Sequence, residues 1–286
     1  MLRWLALALL LLAAPASAKS ILFVGNSFTF GALSPVMEWR AQSVTDLNHE
    51  GVGGVPALFK RFADESGLRF DVSLETAAGR SLQWHWLNHR RILDRSWDYV
   101  VLQEYSTLDP DRPGDPTNLI HASAKFAAMF RARNPRARIG LVATWSRPDQ
   151  TFPAGGHWAG KPIQRMALDL RRADDQALRA SGKINWVIPV GEAFNCAISS
   201  RIADANPYDG IDPGTIDLWA DDHYHASTGG YYLEALTVFA RLTGRDPRLL
   251  GKTESAAREL GLPPTVAQRL QEIAYKVALR GSCRSR

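Results

Sequence analysis

The chain has 286 residues, two cysteines and a formal net charge of +5, with 45% of its residues hydrophobic and 22% charged. That balance excludes a disordered or low-complexity chain and a disulfide-stapled mini-protein, and the length suits one large α/β domain with a sizeable core. The positive excess is spread along the sequence. Its densest group, Arg131, Arg133, Arg136 and Arg138, falls where a helix should end before a strand. Cations there complement the helix dipole, so no nucleic-acid partner is expected.

Met1, Leu2 and Arg3 precede an apolar run from Trp4 to Ala14, closed by Ala16-Ser17-Ala18. A positive start, an apolar stretch of about eleven residues and small residues at a cleavage position are the layout of a secretory signal peptide; the stretch is well short of the ~20 residues of a membrane span. Residues 1–18 are therefore read as a signal peptide and 19–286 as one domain of about 268 residues, with no linker, repeat or later membrane-length segment. The expected destination is the periplasm or the exterior, without stable membrane insertion after cleavage. An uncleaved anchor or a buried first helix is the alternative. Export makes one disulfide between Cys196 and Cys283 an expectation, against two buried free thiols.

Ser20 to Gly25 predicts a short buried strand, because Ile21, Leu22, Phe23 and Val24 run without a polar interruption before Gly25 and Asn26 break them. Pro35 and Pro56 each predict a helix start, where a first turn tolerates proline. Further strands are predicted at 70–74, 99–102, 139–143 and 186–190, with helices at 119–130, 163–180 and 229–242. Strands alternating with helices of this length predict an α/β fold, a three-layer α/β/α sandwich with a central mainly parallel sheet. Pro189 predicts that the last strand lies at an edge or ends early. In such sheets ligands sit beyond the carboxyl ends of the strands, so the loops beginning at Gly25, Glu75, Gln103, Thr144 and Gly191 are the ones to search.

The first of these loops is Gly25-Asn26-Ser27-Phe28-Thr29, a serine at the exit of a buried strand. It lacks the second glycine of a Gly-x-Ser-x-Gly elbow, and a serine in a turn can equally be a helix cap. Near the other end, Asp221-Asp222-His223-Tyr224-His225 leads through Ser227 and Thr228 into a helix. An imidazole base needs one nitrogen toward the nucleophile and its other N–H held by an acceptor. Asp222, three residues before His225, can supply that acceptor from one turn. His223 competes for the role of base if Asp221 is the partner.

Gly25-Asn26-Ser27 at the end of the first strand, with Asp222-x-x-His225 before a C-terminal helix, resembles the SGNH (GDSL-type) hydrolase superfamily. The resemblance spans residues 19–286 from one end to the other and implies a flavodoxin-like fold and ester hydrolysis through an acyl-enzyme. Carried over by position, Ser27 is the nucleophile, His225 the base and Asp222 its orienting carboxylate. The oxyanion hole implied by the family is the N–H of Ser27, a loop glycine and an asparagine. Gly79 stands in the glycine's place, where it can also serve only to permit a tight turn, and Gly53 and Gly54 form a rival loop. The usual Gly-x-Asn-Asp block is absent. The corresponding loop reads Gln103-Glu104-Tyr105-Ser106, in which the Gln103 carboxamide can replace the asparagine or instead tie down a loop, and Ser106 stands closer to the asparagine by register.

Acyl transfer of this kind needs no cofactor. His85, beside Trp84 and Trp86, and Trp145 are expected to line the substrate, and the aromatic loops suggest an acylated carbohydrate among small-molecule esters. Two other functions compete: a non-catalytic glycan-binding protein on the same fold, and a metallohydrolase built from His85, His89, Asp221 and His223. The second lacks a His-Glu-x-x-His pattern, so no metal is expected.

Overall fold

The computed structural model describes residues 17–283; the leader read at residues 1–18 lies outside it except for Ser17 and Ala18, as does the tail 284–286. Six strands, β1 (Lys19–Gly25), β2 (Thr45–Asp46), β3 (Phe70–Thr76), β4 (Tyr99–Leu102), β5 (Arg138–Val142) and β6 (Trp186–Ile188), form one sheet in the order β2-β3-β1-β4-β5-β6. Every pairing is parallel. The first four helices are α1 (Ser27–Phe30), α2 (Gly54–Glu65), α3 (Leu82–Asn88) and α4 (Arg90–Leu93). The middle of the chain adds α5 (Thr117–Arg133), α6 (Pro148–Thr151), α7 (Gln164–Ser181) and α8 (Val190–Ser199). The last are α9 (Thr228–Thr243), α10 (Ser255–Glu259) and α11 (Pro264–Ala274).

Alternation along the strands creates two cores. Ile21 and Phe23 of β1 turn to one face with Phe59 and Phe62 of α2, Phe194 of α8 and Phe239 of α9. Leu22 and Val24 turn to the other with Leu82 of α3, Phe126 and Phe130 of α5 and Leu170 of α7. Because both faces are covered, the strands carry continuous apolar runs. The fold is therefore the expected α/β/α sandwich. Chain order reverses across β1, which has β3 on one side and β4 on the other. Such a switch point opens a crevice at the carboxyl ends of the strands, and Ser27 follows β1 directly.

Three elements differ from expectation. Pro35 opens only a 3-10 turn, Pro35–Met37, after which Arg40 takes a left-handed conformation (φ 47°) that no helix continues through. The last strand both ends at Ile188 and lies at the sheet edge, as Pro189 requires. The two-residue β2 and the helix α8 carry too little or too uniform a pattern to be separated by periodicity. The arginine cluster is absorbed by packing: Arg131 donates to the carbonyls of Pro135 and Lys183, Arg133 pairs with Asp94, and Arg138 lies over Trp186 at 4.4 Å. No helix among the described residues is long and apolar enough to cross a membrane.

Cys196 of α8 is bonded to Cys283 across 87 residues, tying the C-terminal segment to the helix layer. On the chain-entropy account, closing a loop of this length removes about 4 kcal/mol of unfolded-state freedom. Reduction, or Cys283→Ser with Cys196→Ser, should therefore lower the thermal midpoint by several degrees while leaving the far-UV spectrum of the folded protein unchanged. An unchanged midpoint, read by calorimetry with and without reductant, would remove the bridge from the stabilising contacts.

Candidate active site

Asn26 caps α1 by accepting Phe28 N–H at its Oδ1 (3.2 Å), which places Ser27 at the first helical position. The N–H of a first-turn residue has no acceptor within its own helix. The Asn26 side-chain amide donates to the carbonyls of Arg80 (3.0 Å) and Glu104 (3.3 Å), so one residue joins the loops after β1, β3 and β4. Ser27 itself is 5% exposed. The carbonyls of Ser27 and Ala32 both accept from the Tyr231 hydroxyl of α9, at 3.2 and 3.1 Å, coupling the serine turn to the helix that follows the histidine loop.

The second part of the site is a tight hairpin, 219–226, closed by an antiparallel bridge between Trp219 and Ala226 and by Ala220 N–H to the His225 carbonyl (2.8 Å). Within it His225 Nδ1 lies 2.6 Å from Asp222 Oδ2, and Asp222 Oδ1 accepts the backbone N–H groups of Tyr224 (3.0 Å) and His225 (2.9 Å). Partial burial pushes the Asp222 carboxyl up, but these three hydrogen bonds outweigh it and hold the group below the usual range. His223, the rival base if Asp221 were its partner, takes a left-handed backbone (φ 53°), packs its ring 4.3 Å from Tyr208 and has its Nδ1 buried without a hydrogen-bond partner, so Asp221 does not orient it through that nitrogen.

Ring packing brings the two parts together. Phe28, next to Ser27 in the chain, lies against His225 (5.9 Å between centroids) and Tyr224 (5.5 Å). Its other face stacks on Trp145 at 3.9 Å, and Trp145 stacks in turn on Phe194 at 5.1 Å. The Trp145 indole N–H donates to the Tyr224 carbonyl at 3.1 Å. Trp145 is wholly buried, which corrects its expected place: it supports the histidine loop from below and does not line the substrate.

Three further assignments change. Gln103 is wholly buried; its Oε1 accepts Asn26 N–H (2.9 Å) and the Thr29 hydroxyl (3.0 Å), while its Nε2 donates to the Glu104 carbonyl. Since Asn26 N–H can only donate, this orientation of the carboxamide is fixed, and Gln103 braces the serine turn instead of facing an oxyanion. Ser106 accepts from Arg147 Nη1 at 2.9 Å and is equally occupied. His85 is buried with its Nδ1 2.6 Å from Glu75 Oε2, and His89 Nδ1 lies 2.8 Å from Glu75 Oε1, so His85 does not line the substrate either. Trp84 stays partly exposed on α3, its ring 5.2 Å from the Arg80 guanidinium and 4.9 Å from His89.

Gly79 is exposed, with φ 66°, in the turn closed by Arg80 N–H to the Ala77 carbonyl. It precedes the α3 cap Ser81 by two residues, so its N–H is not the helix-start donor expected of it. The rival glycines are accounted for by close packing: a Cβ on Gly53 would meet the Trp39 carbonyl at 2.1 Å, and one on Gly54 would meet the Thr29 carbonyl at 2.7 Å. Among the described residues no group of three or more His, Cys, Asp or Glu side chains is arranged to hold a metal ion.

Glu104, which the sequence did not single out, sits behind this assembly. Its Oε1 accepts Tyr105 N–H (2.7 Å) and Leu82 N–H (3.1 Å), and its Oε2 is buried without a partner. Burial raises its carboxyl to about 7 against the opposing pull of those two N–H groups.

Comparison with solved structures shows what this arrangement is similar to. A DUF4886 family protein from Bacteroides uniformis superposes with a TM-score of 0.62 at 18% identity, over 93% of this chain and 96% of its own. A protein from Parabacteroides merdae named for its likeness to GDSL lipases gives 0.54 at 15%, over 80% and 98%. A member of the lipolytic G-D-S-L family from Veillonella parvula gives 0.50 at 16%, over 79% and 99%. No family model matches the sequence, and no curated protein matches it.

One substitution separates bracing from catalysis and a second tests the raised carboxyl. Gln103→Ala should cost about 2–4 kcal/mol of stability, since it strips partners from buried polar groups; an oxyanion donor would instead cost rate, ~10²–10³, at unchanged stability. For Glu104 the folded protein holds a proton that the unfolded chain has lost between its ordinary 4.5 and about 7. Its contribution is thus full below 4.5, falls as pH rises through that window, and is gone above it. Glu104→Gln should flatten the fall in midpoint between pH 5 and 8; parallel pH profiles of wild type and variant would rule the raised carboxyl out. The six-stranded parallel sheet, its helical layers and the order of its strands give the chain the fold of the SGNH/GDSL hydrolases.

Proposed function

We propose that the chain is a serine esterase working through an acyl-enzyme, with Ser27 as nucleophile, His225 as base and Asp222 as its orienting carboxylate. The observation that carries the reading is the Asp222–His225 contact at 2.6 Å, in a hairpin whose histidine ring packs on the residue following Ser27. The fold shared with G-D-S-L lipolytic proteins supports it.

In this mechanism His225 Nε2 takes the Ser27 proton as Oγ bonds to the acyl carbon, while Asp222 holds Nδ1–H and stabilises the imidazolium. Collapse of the tetrahedral oxyanion breaks the bond to the alcohol oxygen, which receives the proton from His225. Water, deprotonated by the same imidazole, then releases the acid and restores Ser27. The oxyanion is assigned to the Ser27 N–H with the Gly79 loop beside it; Gln103 keeps that N–H in place through Asn26. We further propose that residues 1–18 direct export, which fits the Cys196–Cys283 bond, that 19–286 act as one domain, and that the substrate is an acylated carbohydrate.

Labelling with a fluorophosphonate probe tests the chemistry. The wild type should be labelled, and Ser27→Ala and His225→Ala should each abolish labelling without changing the midpoint of unfolding. Asp222→Asn should slow it by about 10³–10⁴ through loss of the correct tautomer. A folded wild type that resists the probe would leave glycan binding without catalysis as the better reading.

A further inference from the structure

In acyl transfer the imidazole that deprotonates the serine must later protonate the departing alcohol, so the alcohol side of the substrate lies on the histidine's side of the site. What surrounds the histidine hairpin therefore selects the alcohol. Two exposed aromatic residues stand there. Tyr208, 46% exposed, has its ring 4.3 Å from His223, two residues before His225. Phe152, 39% exposed, lies 5.9 Å from Tyr208.

Both are held by structure that also touches the dyad. Phe152 ends α6, in which Asp149 N–H donates to the His223 carbonyl (3.3 Å). The Asp149 carboxylate grips Arg147 at 2.6 Å, and the Arg147 guanidinium lies 3.5 Å over Tyr224, whose ring is 4.1 Å from His225. The Tyr208 loop is pinned by buried Asp204, which accepts the N–H groups of Asn206 (2.8 Å) and Asp212 (2.7 Å). Tyr208 is flanked by Asn206 and exposed Asp209, whose side chains bond to each other at 2.7 Å.

We propose that Tyr208 and Phe152 form a shelf that stacks on a sugar ring of the alcohol moiety, making them the residues that select a carbohydrate ester; this rests on the esterase reading above. Each aromatic face offers a flat apolar surface to the C–H face of a pyranose, and the exposed Asp209 carboxylate with the partly exposed Asn206 amide beside it can accept from and donate to ring hydroxyls. An acyl-chain tunnel would need apolar walls instead, and the exposed Asp209 carboxylate disfavours an anionic alcohol. The shelf also takes the place expected of Trp145 as an aromatic surface for a sugar, since Trp145 is committed to the core.

The test compares acetylated xylo-oligosaccharide with ethyl acetate, which has the same acyl group and no ring. Tyr208→Ala with Phe152→Ala should lower kcat/KM for the sugar ester by at least about tenfold, mainly through KM, and leave ethyl acetate turnover and fluorophosphonate labelling unchanged. In the Ser27→Ala background the same pair should weaken binding of the acetylated oligosaccharide by a similar factor, read by saturation-transfer NMR; this arm holds even if the wild type resists the probe and the esterase reading fails. Equal losses on both esters, no loss on either, no sugar binding by the Ser27→Ala protein, or a preference for acetylcholine over the sugar ester would each overturn the proposal.

Discussion

The carbonyl oxygen of the Gln103 side chain fixes the serine turn, and the rest of the site is arranged around it. It accepts Asn26 N–H from one side and the Thr29 hydroxyl from the other, so β4 grips both ends of the turn that leaves β1. This crowding explains Gly25: a Cβ there would lie 2.6 Å from Gln103 Oε1 and 2.2 Å from Thr29 Oγ1. Gly25, Asn26, Thr29 and Gln103 are thus one unit: a Cβ at Gly25 would displace Gln103 and Thr29, and loss of the Gln103 carboxamide would leave the buried Asn26 N–H without its partner, at about 1–3 kcal/mol.

This unit also explains what the sequence could reveal. The position of Ser27 was legible because a buried apolar run ends abruptly at Gly25, and β4 was legible residue for residue for the same reason. The Asp222–His225 pair was legible because a three-residue spacing in a tight loop leaves few geometries for two such side chains. Gln103 stayed open between oxyanion donor and loop brace because a carboxamide both donates and accepts, and only the neighbouring N–H of Asn26 shows which end faces the turn. Trp145 and His85 were misplaced for another reason: a residue in a functional loop can point into the crevice or into the core beneath it, and loop position alone does not distinguish the two. Glu104 escaped notice because its environment comes from Leu82 and Tyr105 N–H groups and a buried oxygen, none of which a linear pattern displays.

Two carboxyl groups around the serine turn are pushed in opposite directions. Asp222 is held ionised by the groups that hydrogen-bond to it, as the proposed role beside His225 requires. Glu104, whose own carbonyl is tied to Asn26, is driven toward neutrality by burial. Below about pH 7 this separation leaves the charge mainly on Asp222. A second anion behind the serine turn would oppose a developing oxyanion, so a neutral Glu104 suits the chemistry as well as the packing.

The aromatic residues divide along the same line between interior and surface. Phe194, Trp145 and Phe28 stack in sequence from α8 to the serine turn, and the last of them meets Tyr224 and His225. A stack of flat rings resists sliding and tilting because interiors are close-packed, so the spacing between serine and histidine is set by rigid bodies even though the two residues belong to loops at opposite ends of the chain. The dyad itself can then remain near solvent, with the Asp222 side chain 31% exposed, because its geometry does not depend on burial of the charged pair. Exposure leaves room beside the hairpin, and it is on that open side, beyond His223, that the chain places the aromatic faces it does not use for its own packing.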